Sequence, residues 1–159
     1  MGFDFANPSL SDSVYGCRVG RTTATQSISH ATDTAISFQS GAELWDPKGM
    51  WVSGTPTRVT IQKAGIYVVN GCISWADSSA GSYRITSLRV NGSTRIGIVS
   101  SMANTGSFTT RHAVGATVEL SVSDYIELMV QHDNASSALD VNLLGQASPF
   151  LSVSCIGQL

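Results

Sequence analysis

The sequence predicts an all-β protein, an antiparallel sandwich or jelly roll of about ten short strands. Three observations carry this. Runs rich in β-branched and aromatic residues recur along the chain between clusters of Gly, Pro, Asn, Asp and Ser. No segment sustains a helical period between caps. The stretch from His112 to Val122 alternates cleanly, with Val114, Ala116, Val118, Leu120 and Val122 on one face, as a half-buried strand requires.

Composition narrows the function classes. A chain of 159 residues fits one domain with a full core. Charged residues make up 13%, nine Lys and Arg against eleven Asp and Glu, with Lys48 and Lys63 the only lysines. No basic block or stripe exists, so phosphate neutralisation has no footprint and nucleic acid is not an expected partner. No apolar run approaches the ~20 residues that span a bilayer, so membrane insertion is not expected. The first ten residues carry Asp4 and no positive charge, unlike a signal peptide, so synthesis in the cytoplasm is expected. Cys17, Cys72 and Cys155 are odd in number and lack a C-x-x-C pair. They read as reduced thiols serving as small core hydrophobes, with a Cys17–Cys155 bridge as the alternative.

The elements follow in order. Residues 1–13 read as an arm: Phe3 and Phe5 alternate with polar residues ahead of the Asn7-Pro8 turn. Phe3, Phe5, Asn7 and Pro8 are the expected docking residues, against the plainer reading of a frayed terminus. The domain proper covers residues 14–159. Val14–Arg21 is a strand, and residues 22–34 read as a polar connector. Ala35–Gln39 and Glu43–Asp46 are short strands before the Asp46-Pro47-Lys48-Gly49 turn. Arg58–Gln62 leads into the longest β-rich run, Ala64–Trp75. Tyr83–Val90 and Thr94–Ser100 flank Asn91-Gly92, a strong two-residue hairpin signal. His112–Val122, Tyr125–Gln131, Leu139–Leu144 and Phe150–Ile156 complete the set.

The run from Ala64 to Trp75 carries apolar residues on both parities, whereas a strand wet on one side alternates. Tyr67, Val69, Ile73 and Trp75 are expected to fill the core. Ile66 and Val68 need a cover other than water, and a subunit interface would supply one. In Tyr125–Gln131, Ile126, Leu128 and Val130 should face inward, leaving Tyr125 and Met129 outward to join that interface.

Several of these segments resemble C1q/TNF-like domains. Gly65-Ile66-Tyr67-Val68-Val69-Asn70-Gly71-Cys72-Ile73-Ser74-Trp75 is similar to their central strand pattern G-x-Y-x-hydrophobic-x-G-x-hydrophobic-S-aromatic. Phe38 and Arg58-Val59-Thr60-Ile61 precede it at the expected distances. Leu88-Arg89-Val90-Asn91-Gly92 resembles the strand-NG-strand hairpin. Ser123-Asp124-Tyr125-Ile126-Glu127-Leu128 resembles G-D-x-V-x-L, and Phe150-Leu151-Ser152-Val153 resembles the closing F-x-G-x-L strand, both with serine in place of glycine. The resemblance covers everything but the arm. It implies a ten-stranded antiparallel jelly roll assembled as a homotrimer. No collagen-like G-x-y stalk is present. The Arg18-Val19-Gly20-Arg21-Thr22-Thr23 and Leu88–Thr94 segments look more like bacterial and phage versions, which occur in head fibres, decoration proteins and tail adhesins.

No catalytic signature is present: the chain lacks G-x-S-x-G, H-E-x-x-H, a P-loop and G-x-G-x-x-G. His30, His112 and His132 stand among many serines, so a chance triad carries no weight, and an enzyme is not expected. His112 reads as surface polar. The candidate ligand loops hold Asp77, Tyr83, His132, Asp133 and Asn134. Asp77, Asp133, Asn134 and Asp140 lack calcium-loop spacing, so no metal or other cofactor is expected. Asn91-Gly92-Ser93 and Asn134-Ala135-Ser136 are formal glycosylation sequons that read more simply as turns. Trp45, Trp51 and Tyr83 flank turns, either capping the core or anchoring a partner.

These readings converge on a trimeric, non-enzymatic structural protein of a phage virion, a capsid decoration or head-fibre protein docked by its arm onto a capsid or tail protein. The alternatives are a tail adhesin module that recognises a host surface glycan or protein, and a secreted bacterial C1q-like ligand.

Overall fold

The computed structural model describes residues 14–104 and 109–158. Among them are eleven strands and no helix: β1 (Gly16–Gly20), β2 (Gln26–Ile28), β3 (Thr34–Ala35), β4 (Val59–Thr60), β5 (Gly65–Ser74), β6 (Tyr83–Val90), β7 (Thr94–Met102), β8 (Arg111–Leu120), β9 (Tyr125–His132), β10 (Leu139–Val141) and β11 (Phe150–Gln158). The expected count was ten. β2 lies in the stretch read as a polar connector, and Glu43–Asp46 forms no strand beyond a Trp45 bridge to Arg18.

Two antiparallel sheets face each other. The first has the order β1-β11-β5-β8. The second has the order β3-β9-β6-β7, with β4 also paired to β9, and β10 and β2 form a separate ribbon. Only the β6–β7 hairpin joins long neighbours through a short turn, so most of the pairing is non-local, as in a jelly roll.

β5 sits inside the first sheet, between β11 and β8. Its inward residues Tyr67, Val69 and Ile73, with Trp75 just beyond, are fully buried. Gly71 lies in the same inward row. A Cβ there would come within 2.6 Å of Leu128 Cδ1, so glycine is what lets β9 of the facing sheet pack this closely. The other face of β5 carries Ile66, 38% exposed, and the half-buried Val68.

Tyr125 and Met129 belong elsewhere. They lie on β9 in the second sheet, so the outward faces of β5 and β9 look away from each other across the sandwich. The outer side of β9 is covered by the protomer's own connectors. Arg58 lies over the Tyr125 ring at 4.1 Å and pairs with Glu127 at 3.4 Å, while Gln131 Nε2 donates to the Ala31 carbonyl. Met129 is buried in the single chain. Ile66, Val68, Tyr125 and Met129 therefore form no single surface on one protomer, because parity along a strand says nothing of which sheet that strand joins.

The connector at residues 22–34 is more ordered than its polarity implied. Arg21 Nη2 donates to the Thr25 carbonyl, Nε to that of Ala24, and Nη1 to that of Ser37. Gln26 acts as a side-chain rung, with Nε2 donating to the Ala35 carbonyl and Oε1 accepting from the Ser37 N–H. All three thiols are free, so no bridge joins Cys17 to Cys155, and burial pushes the Cys17 thiol pKa up.

Candidate functional site: the loop end and the outer sheet face

The connections after β5, β9 and β2 meet at one end of the sandwich, at residues 75–82, 133–138 and 29–33. Ala31 N–H donates to the His132 carbonyl at 2.7 Å, which ties the β2 connection to the end of β9. The predicted ligand-loop residues do gather here, but most are turned inward. Asp133 Oδ1 accepts from the N–H groups of Ser82 (2.6 Å) and Tyr83 (2.7 Å), and these bonds hold its carboxyl pKa below the usual value. A Cβ on Gly81 would run into the Asp133 carbonyl, and Gly81 has φ +80°, so glycine is required at this position twice over.

Arg84 organises this end. Its guanidinium, buried beneath the loops, donates to the carbonyls of Tyr83 (2.8 Å), Ala80 (3.0 Å) and Ser78 (3.3 Å) and to Asn134 Oδ1 (3.4 Å). Asn134 Oδ1 also accepts from the Ser78 hydroxyl, and its Nδ2 donates to the Ala138 carbonyl. Asn134 is buried with every polar atom engaged, so its sequon is a turn device. Asn91 likewise donates to Asp124 Oδ1 at 2.8 Å and accepts from Tyr125 N–H at 3.0 Å.

His132 was expected in a ligand loop. It is fully buried, with Nε2–H donating to the Ile28 carbonyl at 2.8 Å and Nδ1 accepting from Asn134 N–H at 3.0 Å. Its ring stands edge-on to Trp75 at 5.6 Å. Desolvation is the largest cause lowering its pKa, so His132 is a neutral core residue and makes no external contact. Asp77 is exposed and Tyr83 half-buried. The rest of the rim is small: Ser79, Ser82, Ala135, Ser136 and Ser137 are exposed.

His112, expected on the surface, is also buried. Thr86 Oγ1 lies 2.9 Å from its Nδ1 and Ser101 Oγ 2.9 Å from its Nε2, so the ring ties β8 to β6 and β7 of the facing sheet. His112 shares the parity of Val114, a signal that could have placed it inward. Among the described residues, no group of three or more His, Cys, Asp or Glu is placed to hold a metal ion.

The outer face of the first sheet is different in kind. Besides Ile66 and Val68, it has a shallow depression in which Arg18 lies 4.1 Å over the Phe150 ring, bordered by Asn70, Ser152 and the small residues Ala113 and Gly115. The outermost strand of the second sheet, β7, exposes Ile98 (52%) and Met102 (83%). The arm residues Phe3, Phe5, Asn7 and Pro8 lie outside the described residues.

Strand order, facing sheets and this core define an all-β jelly roll of the TNF/C1q type. Among solved structures, the fold is similar to the globular domain of zebrafish complement 1qA, at 14% identity and a TM-score of 0.63, covering 91% of this chain and 98% of that one. It is similar to murine APRIL, at 13% identity and 0.62, covering 89% and 98%, and to Eiger TNF from S. frugiperda, at 9% and 0.62, covering 92% and 94%. At these identities the likeness is one of fold. No family profile and no curated protein matches the sequence.

Proposed function

We propose that this chain is a homotrimeric, non-enzymatic structural protein of a phage virion, a capsid decoration or head-fibre protein held to a capsid or tail neighbour by its N-terminal arm. The observation that carries the assembly reading is the pair of separate apolar surfaces. Ile66 and Val68 stand on the outer face of the first sheet, while Ile98 and Met102 stand on the outermost strand of the second. Two different patches on one protomer suit a head-to-tail contact, and such contacts close into rings when the rotation permits. The virion part of the reading rests on the phage-like hairpin and first-strand segments and on Phe3 and Phe5 in the arm.

The test is deletion of residues 2–12. The truncated chain should remain a folded trimer and lose attachment to particles. Attachment that survives the deletion removes the arm from the mechanism, and a monomer at micromolar concentration removes the trimer. A second reading, a tail adhesin, is favoured by the rigid hold of Arg84, Asp133 and Asn134 on the loop end, since a preorganised rim binds at lower cost. Binding of the isolated trimer to host cells, abolished by substitutions in residues 77–82, would select it.

A further inference from the structure

We propose that the loop end carries an acid-released latch: two histidine rings, His30 and His132, hold residues 133–137 in place only while both Nδ1 atoms are unprotonated. The geometry is specific. Both rings accept a backbone N–H from the same loop through Nδ1, His132 from Asn134 at 3.0 Å and His30 from Ser136 at 3.2 Å. The rings lie 6.5 Å apart, edge to face. His132 has no alternative tautomer available, because its Nε2–H is committed to the Ile28 carbonyl. A proton added to either Nδ1 sets a donor against a donor and expels that N–H.

The loop so held is poised to leave. Ala135 and Ser136 are consecutive non-glycine residues in the left-handed region, at φ +42° and +70°. That conformation costs an L-residue roughly 1–2 kcal/mol, so the held loop has other conformations to relax into. The charged and titratable groups facing His132 are Arg84 and His30, which oppose its protonation, and Asp133, which favours it. Burial outweighs both the bond to the Ile28 carbonyl and Asp133, which raise the pKa, so the latched ring is neutral and its pKa lies below the ordinary histidine value. The sign follows: latching is complete above the released-state value of about 6.5 and weakens as pH falls below it. Release would also free Asn134 Oδ1 from Ser78 and Arg84, so loop 75–82 loosens with loop 133–138.

The experiment is amide hydrogen exchange on the full chain from pH 7.5 to 5.0, corrected for intrinsic exchange. For a ring that stays neutral while latched, opening through one proton rises about 30-fold over this range. The Asn134 amide should therefore lose up to that much protection and the Ser136 amide should lose protection with it, while those of Val69 and Val153 in the core keep theirs. His30→Gln, which keeps a side-chain acceptor for the Ser136 N–H in place of the ring Nδ1, should fold normally and show a shallower pH dependence at Ser136. Flat protection at Asn134 and Ser136 down to pH 5.0 overturns the latch. So does a loss that runs in parallel at Val69 and Val153, since that is global unfolding. An unchanged pH dependence in His30→Gln removes His30 from it.

Discussion

The outer face of β5 can be tested by one substitution that separates assembly from folding, Val68→Asp. Val68 stands opposite Thr117 on β8 and Ser154 on β11, with no charged residue in its row, and is half-buried in the protomer. A carboxylate there stays wetted in a lone protomer, so the fold should lose about 1 kcal/mol, the span of strand preferences at such sites. In the proposed trimer the same carboxylate is shut away from water in each copy. At roughly 2–3 kcal/mol per unpaired polar group, three copies cost about 6–9 kcal/mol, and the monomer–trimer dissociation constant rises about 10⁴- to 10⁶-fold. Sedimentation velocity across a dilution series reads the assembly, and urea unfolding by tryptophan fluorescence reads the protomer. Val68→Thr, which keeps the β-branch, controls for strand preference. A Val68→Asp chain that stays trimeric with the parent's dissociation behaviour refutes the assignment of this face. A protomer that unfolds outright would instead mean that Val68 belongs to the core.

Two further outcomes follow from the buried polar groups. Arg84→Met should destabilise the chain by about 3–5 kcal/mol, because it strands the carbonyls of Ser78, Ala80 and Tyr83 and leaves Asp133 without its cation. A shift in the urea midpoint worth under about 1 kcal/mol would contradict the clamp. His112 is neutral in the fold because burial lowers its pKa, so its contribution is whole above the unfolded value of about 6.5 and is lost as pH falls below it. The slope it adds cannot exceed about 1.4 kcal/mol per pH unit, and His112→Gln should flatten the stability-pH curve below 6.5 by up to that amount.

The long strands were legible because their physics is local. β8 writes its faces in alternation, and Asn91-Gly92, both at positive φ, turns the chain between β6 and β7. What stayed hidden depends on long side chains reaching distant backbone. β2 lies inside an apparently polar connector because the Gln26 amide and the Arg21 guanidinium supply bonds that a strand pattern does not encode. The candidate loop residues were found as a set and misread in role. His132-Asp133-Asn134 looks solvent-directed along the chain, yet the loop folds over, placing His132 against Trp75 and Asn134 over Arg84. That Tyr125 and Met129 stand on the other sheet from Ile66 and Val68 was hidden for a third reason: periodicity identifies a face of a strand, while sheet membership is decided by pairing with β6, β3 and β4.

The molecule thus divides its labour between a face and an end. Exposed apolar side chains lie on the outer face of the first sheet and on β7, whereas the buried charge and the two latch histidines lie at the loop end. If a head-to-tail trimer built through Ile66 and Val68 against β7 leaves residues 133–137 of each copy outside the contact, the assembly carries three copies of that loop. Identical latches under one pH then release in every copy, and a partner bound to that end through several copies loses contacts multiplicatively. Assembly and release can therefore be uncoupled experimentally: Val68→Asp should abolish the trimer while leaving the acid-dependent exchange of Asn134 intact, and His30→Gln should leave the trimer intact while making the acid dependence at Ser136 shallower. A Val68→Asp monomer whose Asn134 amide no longer responds to pH would mean that the latch is built by the interface and that the two surfaces are one.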